Sequence, residues 1–192
     1  MQVITSLLNL QSKDISDKKT LQIFEDTKNR IHSMALVHEK LYKTKNLSEV
    51  NLSDYIKDLA GAMIKSHGDT KKRISLHMDV AKIPVSIDTI TPLGLVINEI
   101  ITNALKYAFP DNREGLITIK GRSAEDESIE LSFSDNGTGM PKNIDLRKTD
   151  SLGLTIIRTL IVSQIKGKLE MLTQNGTTFV IRFKDKGYPA RI

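Results

Sequence analysis

The sequence contains no cysteine and no tryptophan, and aromatic residues make up only 5% of its 192 positions. Without cysteine there is no disulfide, no thiolate metal ligand and no thiol redox chemistry, a pattern that fits a reducing compartment. Few aromatics leave little with which to stack single-stranded nucleic acid. The basic residues are also dispersed, the densest run being Lys71, Lys72 and Arg73, so no nucleic-acid partner is expected. No stretch of about 18 apolar residues is available to cross a membrane, and the start lacks the basic, apolar and small-residue order of a secretory signal. A soluble chain without membrane contact is the expectation.

What is present suffices for a folded core: 39% of the residues are apolar, enough for one large domain or two small ones. A net charge of +5 and a pI near 9.3 favour acidic partners, whether nucleotide, nucleic acid or an acidic protein surface, and leave that choice open.

Two regions differ in hydrophobic period. From Met1 to about Lys45 the spacing is helical, with Val3, Ile4, Leu7, Leu8 and Leu10, then a polar break at Ser12 to Asp17, then a second helical run. In that run Phe24, Ile31 and His38 fall on one heptad position and Thr27, Met34 and Leu41 on the other, giving a coiled-coil-like seam. A two-helix hairpin cannot bury such a seam alone, so homodimerisation into a four-helix bundle is expected. After Asn46 helices and strands mix. Helices are predicted at Ser53 to Lys65, Thr91 to Ala108 and Ser151 to Lys166. Strands are predicted at Ile74 to Val80, Ile83 to Ile87, Gly115 to Arg122, Ile129 to Ser134, Lys168 to Thr173 and Thr177 to Phe183. The strands alternate apolar and polar residues, so helices should cover one sheet face. The fold class is α+β: an antiparallel helical hairpin followed by an α/β sandwich with a mixed sheet.

Four stretches of this second region carry chemistry. In "NEIITNALKYAF", residues 98 to 109, Glu99, Asn103 and Lys106 recur at helical spacing, lining one face with a carboxylate, an amide and an ammonium, while Ile100, Ile101, Ala104 and Leu105 serve the core. Acid, amide and cation together suit a metal-bound phosphate, although a solvated polar stripe would read the same way. In "SFSDNGTGMP", residues 132 to 141, Asp135 ends a β alternation and a glycine turn follows, which as a lone feature could be an ordinary hairpin loop. Gly153 opens the apolar helix in "SLGLTIIRTL", and "NGTTFVIRF", residues 175 to 183, supplies a last strand.

In order and placement these four stretches resemble the nucleotide-binding fold shared by gyrase-type ATPases, the cytosolic heat-shock chaperone ATPase, MutL and histidine kinases, over roughly residues 50 to 185. Together with "MQVITSLLNLQS" (residues 1 to 12) and "NRIHSMALVHEKLY" (residues 29 to 42), the chain resembles sensor histidine kinases of the second HisKA-like dimerisation class along nearly its whole length. The domains implied are a hairpin at 1–46, an ATP-binding domain at 47–186 and a tail at 187–192.

The resemblance assigns roles position by position. Asn103 matches the amide that ligates Mg²⁺, shared with the phosphates of ATP. Lys106 would lie near the phosphates and Tyr107 near the nucleotide. Asp135 matches the carboxylate that accepts a hydrogen bond from the adenine amino group, and Gly137 and Gly139 let the backbone pass close to the base. Gly153 and Leu154 match the second glycine box, here with one glycine where many members have two or three, and the lid at 141–150 is short, without an obvious phenylalanine box. Thr177 or Thr178 matches the last-strand threonine near adenine. Glu99 matches the water-activating glutamate of the gyrase-type and chaperone ATPases, at a place where many histidine kinases have asparagine. It is either the base that polarises the nucleophile or a support behind the metal.

Family members carry their phospho-accepting histidine a few residues upstream of the stretch matching "MQVITSLL", so this chain is expected to begin after it. His38 is expected to pack or support, and His32, His67 and His77 to be ordinary surface or sheet residues. The resemblance implies a cytoplasmic-facing kinase core, whether or not its parent is membrane-anchored, that takes the γ-phosphoryl of ATP to a histidine and on to the receiver domain of a response regulator. A nucleotide-hydrolysing ATPase and a catalytically degenerate, nucleotide-sensing dimeric scaffold are the competing readings.

Overall fold

The computed structural model describes residues 2–12, 15–17, 20, 21, 23–25, 27, 28, 30, 31, 35, 49–66, 74–141, 144–146, 148, 149 and 151–185. His32, His38, Met34, Leu41, His67 and the tail lie outside the described residues.

The hairpin begins with α1 (Gln2–Ser12). Residues 15–17 are non-helical, and the described positions from 20 to 35 are helical again. The second helix starts where it does because Asp17 caps it: its Oδ2 accepts from the Thr20 backbone N–H at 2.8 Å and from the Thr20 hydroxyl at 2.6 Å, satisfying donors that a helix start leaves unpaired. Of the expected seam, Phe24, Thr27 and Ile31 are partly buried.

The remaining elements are β1 (Val50–Asn51), α2 (Leu52–Ser66), β2 (Ile74–Val80), β3 (Pro84–Val85), α3 (Ile87–Asn103), β4 (Gly115–Ser123), β5 (Ile129–Asp135), α4 (Leu152–Arg158), β6 (Lys168–Leu172) and β7 (Thr178–Phe183), with α3 and α4 continued by π turns over Ala104–Ala108 and Thr159–Gln164 and a short 3-10 turn at Pro110–Asn112. The main sheet has the order β2-β4-β5-β7-β6. β2 and β4 are parallel because α3 carries the chain back between them. The other pairs are antiparallel. Residues Ile117, Ile119, Leu131, Phe133, Phe179 and Ile181 point from one sheet face into a core closed by Ile56, Ile97, Ile101 and Ile157 from the helices. Each such side chain contributes about 1.5–3 kcal/mol by leaving water.

Two boundaries differ from the sequence pattern. The strand expected at Ile83 to Ile87 is only Pro84–Val85, paired with Val50–Asn51 in a separate ribbon. The helix expected from Thr91 begins at Ile87. One residue explains both. Asp185, just past β7, accepts from the Ser86 N–H at 2.8 Å and the Ser86 hydroxyl at 2.7 Å, placing a carboxylate at the start of α3, where the helix dipole favours it.

Tyr55 of α2 is buried, and among the described residues its hydroxyl has no hydrogen-bond partner. Burial pushes its phenol well above the usual tyrosine range. Tyr55→Phe removes this desolvated group and is expected to raise the urea midpoint, by about 1 kcal/mol in stability. A lower midpoint would show that the hydroxyl is satisfied in solution.

Candidate functional site

The site lies where α3, β5, β7 and the start of α4 meet. The α-helical hydrogen bonding of α3 ends at Asn103 and gives way to a π turn over Ala104–Ala108. Such wide turns change which side chains share a face. Here Ala104, Leu105 and Ala108 remain buried while Lys106 and Tyr107 reach the cleft beside Asn103.

Two cavities adjoin along this helix end. One is apolar, with Ile100, Ala104, Ile117, Phe133 and Met140 in its wall and Asp135, Gly139 and Thr177 at its polar edge. The other is a cleft of about 170 Å³ bordered by Arg30, Glu99, Asn103, Lys106 and Gly153. Asn103 and Tyr107 line both, so the small apolar cavity, about 30 Å³, shares a wall with the polar cleft.

The polar edge of the apolar cavity is tightly determined. Asp135 Oδ1 accepts from the Gly137 N–H at 2.9 Å and the Thr177 N–H at 3.2 Å, while the Asp135 N–H donates to the Thr177 carbonyl at 2.9 Å. The carboxylate is thereby fixed, and among the described residues Oδ2 has no hydrogen-bond partner, which leaves its lone pairs open. The turn after Asp135 is stitched to the end of α3 by the Thr138 N–H, which donates to the Ala108 carbonyl at 3.0 Å. A Cβ on Gly137 would collide with that same carbonyl, so glycine is required for the close approach. Gly139 has a positive φ of 75°. Of the two threonines, Thr177 is buried at the cavity edge, whereas the Thr178 hydroxyl is paired with Ser134 at 2.9 Å.

Glu99 is not on a solvated stripe. It is 2% exposed, its Oε1 accepts from Arg30 Nε at 2.7 Å and its Oε2 from Arg30 Nη2 at 3.0 Å, and a Cβ on Gly153 would stand 2.8 Å from Oε2. Leu154, by contrast, is buried in the core and borders neither cavity.

Sequence reasoning missed two residues. Arg30 carried no signal, since nothing local ties a hairpin arginine to Glu99. Gly176 did carry one: Asn175-Gly176 marks a turn, and both residues have positive φ, 55° and 110°, as the tight reversal between β6 and β7 demands. A Cβ on Gly176 would also collide with the Asp135 carbonyl. Gly176→Ala is therefore expected to lower stability by about 1–3 kcal/mol through backbone strain and to weaken ligand binding by displacing Asp135, whereas Asn175→Gly leaves both unchanged. Thermal unfolding and ligand titration of the two variants check this.

With this geometry in view, two family models match the chain: residues 1–67 match that of a histidine kinase, and residues 88–187 match that of the histidine kinase-, DNA gyrase B- and HSP90-like ATPases. The chain belongs to this ATPase family and carries the hairpin-plus-ATPase core of a sensor histidine kinase. It is 33% identical to the sensor histidine kinase PdtaS of Mycobacterium tuberculosis over 187 residues, which cover 95% of this chain and 36% of the relative. It is 24% identical to a blue-light-activated histidine kinase of Erythrobacter litoralis, covering 93% of this chain and 51% of that one. The chain thus spans between a third and about half of these relatives. The fold is shared with the histidine kinase domain of an Erythrobacter litoralis blue-light-activated kinase, with a TM-score of 0.73, 19% identity and 96% of each chain covered. The α+β architecture and the family expected from the sequence both hold, and the ATPase domain implies a nucleotide substrate.

Proposed function

We propose that the chain is the ATP-binding, dimerising core of a sensor histidine kinase, in which the apolar cavity takes adenine and the adjoining cleft takes the phosphates. The observation that carries this reading is the fixed Asp135 carboxylate, one oxygen anchored by two backbone N–H groups and the other kept for a donor. An adenine amino group satisfies that oxygen; guanine would present a carbonyl to it. Thr177, Gly137 and Gly139 shape the same edge.

In the cleft, Lys106 supplies positive charge toward the phosphates. Mg²⁺ fits here in the way that suits it, through few protein oxygens with the rest from substrate phosphate and water. Asn103 Oδ1 is the protein oxygen that would hold it, and no cluster of three or more histidine, aspartate or glutamate side chains competes for a metal among the described residues. When bound, the metal neutralises phosphate charge. Gly153 keeps the start of α4 close to Glu99 and leaves the cleft open.

The activity proposed for the whole protein is transfer of the γ-phosphoryl group of ATP to a histidine and then to the aspartate of a receiver domain, with most of the rate coming from positioning and charge neutralisation. Glu99 is the candidate base. The exposed Leu7, Leu10 and Ile23 of the hairpin support pairing with a second copy. The division into a hairpin at 1–46 and an ATP-binding domain at 47–186 is part of the same reading. A cytoplasmic location belongs to the same reading; no helix of the described residues is long and apolar enough to cross a membrane.

Calorimetric titration of the chain with ATP and Mg²⁺, beside a GTP control, tests the proposal. Adenine-selective binding is expected. A folded chain that binds neither nucleotide would overturn it.

A further inference from the structure

The buried carboxylate at the phosphate end of the cleft is held from outside its own domain. Arg30 sits on the second helical segment of the hairpin, 69 positions before Glu99, and grips it with a two-pronged ion pair. The side chains are 18% and 3% exposed. Asn98 Nδ2 lies 3.5 Å from Oε1, at the limit of hydrogen bonding. Gly153 makes the pairing possible, since a Cβ there would crowd Oε2 at 2.8 Å and approach Arg30 Nη2 at 3.8 Å.

A fork of this kind is the strongest geometry available to an arginine and a carboxylate, because two charge-assisted hydrogen bonds run in parallel. It also occupies Glu99. Hydrolysis in this cleft would need Glu99 to take the proton of a water while the water oxygen bonds to the γ-phosphorus. The bond from that phosphorus to the bridging oxygen breaks, and its electron pair leaves with ADP. A carboxylate whose two oxygens already accept from a guanidinium is poorly placed to receive that proton.

We propose that Arg30 is a positioning residue that silences Glu99 toward water while the hairpin is docked, so that this acid-bearing kinase core does not spend ATP in hydrolysis; releasing Arg30 converts the same cleft into an ATPase. This rests on the reading that the cleft takes ATP. It gives Glu99 and the hairpin one shared function: the base becomes available only when the hairpin moves.

The test uses Arg30→Met, Arg30→Lys, Glu99→Gln and the Arg30→Met/Glu99→Gln double variant of the whole chain. Phosphate release from Mg-ATP is expected to rise at least ~100-fold in kcat in Arg30→Met, the low end of what a freed general base supplies, with KM changed by less than about twofold because the change is not in binding. Arg30→Lys should fall between, and the double variant should return to the wild-type rate. In the nucleotide-free proteins, amide hydrogen exchange at residues 20–31 should quicken alike in Arg30→Met and the double variant, which lose both prongs of the pair, and less in Glu99→Gln, whose amide oxygen can keep one. Wild-type phosphate release by an Arg30→Met variant that binds ATP normally would overturn the proposal, and so would unchanged exchange in the hairpin. A wild type that binds no ATP removes the nucleotide reading and the silencing with it, while the exchange experiment still reports whether Arg30 and Glu99 join the two parts.

Discussion

Asp135→Asn is expected to abolish adenine-selective binding while leaving the fold intact. The substitution is nearly isosteric, and the amide oxygen can still accept from the Gly137 and Thr177 N–H groups that anchor Oδ1. What changes is the other end of the side chain, where an acceptor becomes an N–H₂ donor. An adenine amino group would then meet a donor, leaving two buried donors without a partner. Such a mismatch costs about 2–4 kcal/mol, roughly 30- to 1,000-fold in affinity. The same reversal favours the guanine carbonyl, so the ratio of ATP to GTP affinity should collapse by more than ATP affinity alone. Calorimetry with both nucleotides, beside thermal unfolding, separates this from misfolding. Unchanged ATP affinity would mean that Asp135 only ties the turn to β7, and the base would have to be read elsewhere.

That turn shows how much of the site is local and hence legible. Asp135, Gly137 and Gly139 lie within five residues, and Glu99, Asn103 and Lys106 within eight, so helical spacing and turn chemistry place them without knowledge of the whole fold. Legibility fails where a distant residue decides. α3 begins a turn earlier than its pattern suggests because Asp185, 98 positions after Ile87, lies at its start. The π turn over Ala104–Ala108 does not undo the local reading, since Lys106 and Tyr107, three and four positions after Asn103, still share its cleft. The strand alternation says that Thr177 and Thr178 face opposite ways; only the insertion of β7 between β5 and β6 says which one meets Asp135. Arg30 is the extreme case. The heptad pattern explains Phe24, Thr27 and Ile31 around it, but not a charge whose partner lies 69 positions further along the chain.

Glu99→Gln separates the two roles that the residue's position allows. Glutamine keeps the size of the side chain and one oxygen for Arg30, so the packing against Gly153 and part of the clamp survive, but it cannot take a proton. If Glu99 is the base in phosphoryl transfer, histidine phosphorylation measured in the full-length kinase should fall by about 10²- to 10⁴-fold, with ATP affinity changed by little, since the loss is confined to the transition state. If Glu99 only supports the metal behind Asn103, the outcome divides differently: Mg-ATP affinity weakens, and saturating nucleotide restores most of the rate. With Arg30 on both oxygens, the first result also requires the hairpin to release Glu99 before transfer. Glu99 is 2% exposed and lines the same cleft as Asn103, so its position fits either role and the kinetics decide between them. Full phosphotransfer by Glu99→Gln at limiting ATP would exclude both roles and leave the Arg30 pair as a structural joint between hairpin and ATP-binding domain.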